Sequence, residues 1–176
     1  MRSSVPRSRR RPASGFTLIE LMVTLAVLGI LAAVGVPAMQ ALINANRLAG
    51  ATGELTSALQ LARSEAVRRG ARVNVCRSAD GSTCSAGTDW SRWIVVGRDV
   101  ASGNTEVMRN ETVAAPASLT GPALPIEFRP SGLIGAEATL RVCIPTSNPH
   151  ENVRVVTVLV SGTPVVTRAS GSGGCQ

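Results

Sequence analysis

Glu20 is the one charge in an apolar run from residue 16 to residue 43. A carboxylate in such a run is costly in a membrane and is kept where it has a partner or a role. It lies less than two helical turns from Phe16, so it could reach the headgroups at a bilayer surface. It could instead meet a positive group, and cutting the Gly15–Phe16 peptide bond would create one, the free α-amine of Phe16. Between two copies of the chain, a buried Glu20–amine pair would fix register more than it adds stability.

Four cysteines, Cys76, Cys84, Cys143 and Cys175, are the other reactive set. An even count behind a membrane-targeting segment points to two disulfides in an oxidising compartment. Of the three possible pairings we expect Cys76–Cys84, which flanks the Asp80-Gly81 turn signal, and Cys143–Cys175, which ties back a Gly/Ser-rich tail at 169–174. The spacings lack the tight ligand cluster of a zinc site, so no metal is expected. The single histidine, His150, sits between Pro149 and Glu151 in a polar stretch and reads as a solvated loop residue. No nucleophile elbow, phosphate loop or H-E-x-x-H pattern occurs. We expect neither an enzyme nor a cofactor.

The elements that position these residues follow from composition. All 18 basic residues are arginines, and five of them precede residue 16, where there is no acidic residue. The rest of the chain holds 13 arginines against 11 acidic residues, so the net charge of +7 is mostly leader. Such a cluster holds its segment on the cytoplasmic side of a membrane. Residues 16–43 are long enough to cross a hydrocarbon core as a helix. A secretory signal would carry its cleavage site after the apolar run. Here Ser14-Gly15-Phe16 precedes it, so the apolar helix would be retained.

Beyond the anchor, Leu48, Leu55, Leu59, Ala62 and Ala66 recur at helical spacing and predict one apolar stripe, with Gly70 as the stop. Pro37, beside Gly35, predicts a bend or a locally melted segment at 35–38. After Gly70, β-branched runs at 71–77, 92–98, 106–113, 126–129, 139–144, 154–160 and 164–167 read as strands. The expected organisation is a leader at 1–15, a transmembrane helix at 16–43, an amphipathic half at 44–70 and a β-rich head at 71–176. The fold class is α+β, a long helix packed on antiparallel sheet.

Gly15-Phe16-Thr17-Leu18-Ile19-Glu20-Leu21-Met22-Val23 resembles the leader-peptidase and assembly motif of type IV pilins and type II secretion pseudopilins. The resemblance implies cleavage by prepilin peptidase between Gly15 and Phe16, N-methylation of Phe16, and packing of residues 16–43 with other subunits in a filament core. It also implies that Pro37 bends the helix, and that the protein sits in the inner membrane with a periplasmic head before entering a pilus or pseudopilus. Leu59-Gln60-Leu61-Ala62-Arg63-Ser64-Glu65-Ala66, Val75-Cys76-Arg77-Ser78, Asp89-Trp90 and Phe128-Arg129-Pro130-Ser131-Gly132 are similar to the H-type pseudopilin and T-type fimbrial branch. That branch implies a minor subunit at or near a filament tip: a minor pilin, or a minor pseudopilin driving protein export. A stand-alone membrane-anchored binding protein would leave the Gly15-Phe16…Glu20 arrangement unexplained.

Some T-type minor pilins bind DNA, with a Gly-Arg-x-Arg stretch implicated. The matching place here, Ser161-Gly162-Thr163-Pro164-Val165, lacks both arginines. DNA would then depend on Arg141, Arg154 and Arg168 sharing a face, since phosphate contacts come chiefly from basic side chains. Trp90 and Trp93 could serve as a base-stacking platform or as core. Trp93 opens an apolar run and reads as core; Trp90 stays open.

Overall fold

The computed structural model describes residues 15–98 and 103–175. The expected leader lies outside the described residues except for Gly15. Helix α1 runs Leu18–Arg69. Thr17 caps its start: the Thr17 hydroxyl accepts the Glu20 amide at 3.3 Å and its carbonyl accepts the Leu21 amide at 3.2 Å. Thr17 and Glu20 hold the first and last places of a capping box. At the other end Gly70 adopts φ +60°, the left-handed conformation in which helices commonly stop. Residues 35–38 are helical throughout, so the melted segment expected there is corrected. Proline removes one backbone bond, and the helix carries on through that loss on both sides.

The chain divides into two compact units, residues 1–38 and 39–176. In the first, every described side chain is exposed. In the second, the described residues form helix residues 39–69 and eight strands around a main core, to which the last strand adds no buried side chain. The helix buries Leu48, Thr52, Leu55, Ala58, Leu59, Ala62 and Ala66. All five residues of the expected stripe are there. Thr52 joins them because its hydroxyl donates to the Leu48 carbonyl, 2.6 Å away, and so carries no unmet polar group into the core.

The strands are β1 Val73–Arg77, β2 Arg92–Arg98, β3 Thr105–Thr112, β4 Ser118–Thr120, β5 Ile126–Phe128, β6 Ala138–Cys143, β7 Val153–Val158 and β8 Pro164–Ala169. They form two four-stranded antiparallel sheets, in the orders β3-β2-β1-β5 and β4-β6-β7-β8. Seven strands fall within two residues of their expected places. β4 was not foreseen. Its three residues are too few for a readable alternation, and it exists because Ser118 and Thr120 pair with Cys143 and Arg141 of β6.

The sheets meet through short contacts. The Trp90 amide donates to the Leu119 carbonyl at 2.9 Å, beside an isolated bridge between Asp89 and Thr120. At another corner two turns of the same kind face each other. Gly132 and Gly162 both have φ +76°, and each donates its amide three residues back, to Arg129 and Leu159. A Cβ on Gly162 would collide with the Gly132 carbonyl, so only glycine fits.

Trp90 and Trp93 are both buried, and the Trp90 indole donates to the Pro122 carbonyl at 3.0 Å. That answers the open question at Trp90: the ring is core, and no stacking platform is formed. A smaller cluster of Cys76, Ile94 and Val96 occupies the other face of the first sheet. Disulfides join Cys76 to Cys84 and Cys143 to Cys175, each with Cα atoms 5.6 Å apart.

Candidate functional site

The candidate site is the start of α1. Phe16 is 81% exposed, and Leu18, Ile19, Leu21, Met22, Leu25, Leu28, Ile30 and Leu31 all face outward. A helix apolar on every side must be covered by something, since a helix on a soluble core exposes a polar face. Among the described residues this is the one helix long and apolar enough to cross a membrane. Glu20 lies in its first turn, where an acid suits the positive end of the helix dipole. Its amide is taken by Thr17, but among the described residues its carboxylate has no ion-pair partner. The geometry leaves a carboxylate and an apolar sheath available to other molecules.

The head is tied together by groups that sequence reasoning missed. Glu65, on the last turns of α1, accepts hydrogen bonds from Arg68 at 2.6 and 3.0 Å and from Arg69 at 2.7 Å. These bonds, Arg68 first, hold its carboxyl down to about 2. Arg69 also pairs with Glu106 on β3, linking the helix end to the first sheet. The i, i+3 and i, i+4 spacing of Glu65 to the two arginines was a readable signal; the Glu106 link was not.

Asp80, in the loop closed by Cys76–Cys84, accepts the amides of Ser82 and Thr83, each at 2.9 Å, and both of their hydroxyls. Those bonds keep its carboxyl far below the usual carboxylate range. Asn152 is fully buried and clamps the tail: it donates to the Ile144 and Gly174 carbonyls and accepts the Gly171 amide at 2.7 Å. No local pattern announces it, because two of its partners lie about twenty residues further on.

The three arginines considered for DNA do not share a face. Arg154 is the register partner of Arg168, whereas Arg141 is opposite Val155. Successive strand residues point to opposite faces, so Arg141 lies on one face of the second sheet and the other two on the reverse. The sheet itself separates them. Arg168 pairs with Glu151 at 3.6 Å. His150 is exposed in the loop after the Asn148–Pro149 bond. Among the described residues no three His, Cys, Asp or Glu side chains gather as a metal site would need.

A long apolar N-terminal helix joined to an antiparallel two-sheet head, behind an N-methylation signature, defines a type IV pilin-like protein. The sequence model described as the prokaryotic N-terminal methylation motif matches residues 10–36. The model described as type II transport protein GspH matches residues 51–163. The chain belongs to the GspH family, of minor pilins and pseudopilins.

Among curated proteins, the type IV major alpha-pilin of Moraxella bovis is 49% identical over 43 residues, 24% of this chain. The chain thus spans about a quarter (27%) of that relative's length. Among solved structures, the type IV minor pilin FimU of Pseudomonas aeruginosa is similar with a TM-score of 0.52 and 24% identity, over 74% of this chain and 94% of that one. The minor pseudopilin EpsH of the Vibrio cholerae type II secretion system aligns with a TM-score of 0.49 and 17% identity, over 72% and 96% of the two chains.

Proposed function

We propose that the protein is a minor structural subunit of a type IV pilus, not an enzyme. Prepilin peptidase cuts the leader 1–15 between Gly15 and Phe16, and Phe16 is N-methylated. Residues 16–43 first hold the subunit in the inner membrane, bend at Pro37, and then pack in the filament core. Residues 44–70 form the helix half that belongs to the head, and 71–176 make up the β-rich exported head. The observation that carries this reading is the helix surface from Phe16 to Gln40, apolar on every side and exposed at every described residue. A helix satisfies its own backbone in lipid, so such a surface suits first a bilayer and then neighbouring helices. The Glu20 carboxylate pairs with the Phe16 amine of the adjacent subunit and sets the register.

A second reading is a minor pseudopilin of a type II secretion system, favoured by the description of the matching family. DNA is left out of both, since the arginines proposed to hold it lie on two faces of one sheet. A deletion strain separates the two machines when surface pili and secreted hydrolase activity are scored in the same cultures. Loss of pili with normal secretion supports the pilus. Loss of secretion with normal pili supports the pseudopilus and overturns the first reading.

A further inference from the structure

Among the described residues four strands have a single strand partner each, β3 and β5 in the first sheet and β4 and β8 in the second. β4 and β5 are three residues long and each makes a further isolated bridge, at Thr120 and at Phe128, so β3 and β8 are the long edges. An unpaired edge is a template for another chain, and proteins guard it with charge, proline or bulges. β3 is guarded along its length: Glu106, Arg109 and Glu111 punctuate it, and its pairing with β2 shifts register between Val95 and Val96. β8 has a proline at its first position and an arginine near its last, with Val165, Val166 and Thr167 regular between them. Val166 is 43% exposed although its register partner Val156 is fully buried, so the cover of the core stops at β7.

The hydrogen-bond alternation tells which backbone groups of β8 are spare. At the turn the Leu159 amide donates to the Thr163 carbonyl at 3.1 Å, which makes that a bonded pair. Bonded and non-bonded pairs alternate along an antiparallel ladder. Val165, Thr167 and Ala169 therefore bond to β7, while Pro164, Val166 and Arg168 turn their backbone groups to the open side. Pro164, which has no N–H, sits where β7 does not need one. As far as Cys175 the tail leads away from this edge. Gly171 and Gly174 are held on Asn152, and Cys175 on Cys143, which draws the tail back across β7 and β6.

Charge says what kind of strand fits. Arg154 and Arg168 are directly opposite, an arrangement that destabilises a sheet when the charges are alike. Arg154 spends hydrogen bonds on the Glu151 and Val153 carbonyls, at 2.8 and 3.0 Å. Among the described residues the Glu151 carboxylate makes its ion pair with Arg168, at 3.6 Å and exposed. One more carboxylate beside Arg168 would balance the pair.

We propose that the free edge of β8 docks an extended strand of a partner protein, which continues the second sheet, lays an apolar side chain on Val166 and seats a carboxylate against Arg168 and Arg154. This does not depend on which machine the subunit serves.

The test uses the full chain in detergent micelles and two blocked eight-residue peptides of alternating Val and Thr, one with a central Glu and one with Lys in its place. The Glu peptide should slow amide exchange at Val166 and Arg168 by about tenfold or more, leaving Thr167, already bonded to β7, unchanged. The Lys peptide should bind about tenfold more weakly. Val166→Pro removes an outward N–H and the Val166 side chain but no bond to β7, so it should abolish binding with little change in melting temperature. Arg168→Glu should reverse the preference between the peptides, which keeps the test alive if the proline variant unfolds. No slowing with either peptide at millimolar concentration overturns the proposal. Equal binding of the two overturns the carboxylate seat. Protection that rises with protein concentration alone, or with duplex DNA but no peptide, overturns the partner strand in favour of a second copy or of nucleic acid.

Discussion

The two halves of α1 are built from similar residues and treat water in opposite ways. Before residue 39 every described side chain is exposed, from Phe16 through Val36. From Leu48 on a single stripe of seven residues is buried, and the remaining faces carry small and polar residues with Glu54, Arg63, Glu65, Arg68 and Arg69 among them. An apolar stripe on a polar helix finds its solvent within the same chain, whereas a helix apolar all round finds it elsewhere. The difference shows one continuous helix contributing to a self-contained core in its second half and leaving its first half exposed for other molecules.

The comparison breaks most visibly at Glu20. Glu20→Ala should leave membrane insertion and leader cleavage intact and abolish filament incorporation, measured by immunoblotting sheared filaments against membranes. Normal incorporation would remove Glu20 from the assembly reading. A pair of leucine truncations sharpens the contrast. Leu55→Ala, fully buried, should destabilise the head by about 2–5 kcal/mol. Leu28→Ala, exposed on the anchor, should not move the melting transition of the head in detergent. Equal effects would mean that the two halves are not independent.

The disulfides give the next effect. Cys143–Cys175 closes a sequence separation of 32 and Cys76–Cys84 one of 8. Loop-closure entropy then predicts losses of about 3–4 and about 2.5 kcal/mol for the respective double serine variants. Calorimetry that reversed this order would show that the loop network around Asp80 matters more than chain entropy.

The smallest effect is electrostatic. Glu65 is held down to about 2 in the folded head by Arg68 and Arg69, against about 4.3 for an ordinary glutamate. The unfolded state binds the proton more readily, so the stabilisation is present above the ordinary value and fades as pH falls toward about 2. Glu65→Gln should flatten the fall of the urea midpoint between about pH 5 and pH 2. An unchanged slope would mean that other carboxylates carry the acid sensitivity of the head.

What was legible in the chain itself was local. Helical spacing from Leu48 to Ala66, the stop at Gly70 and seven strand runs depend on neighbours within a few residues, and each was read from its own segment. So was the leader-to-Glu20 signature, whose residues are contiguous. Tertiary structure alone decided the rest. It split the strands into two sheets, raised β4 from a three-residue stretch, buried Trp90 against Gly121 and placed Asn152 on the tail. It also set Arg141 on the face opposite Arg154 and Arg168, and left β8 open while β3 was guarded. Those outcomes turn on which strand lies beside which and in what register, and a one-residue shift moves every side chain to the other face. Periodicity within a segment carries no record of that choice, because the partners that make it lie many residues away.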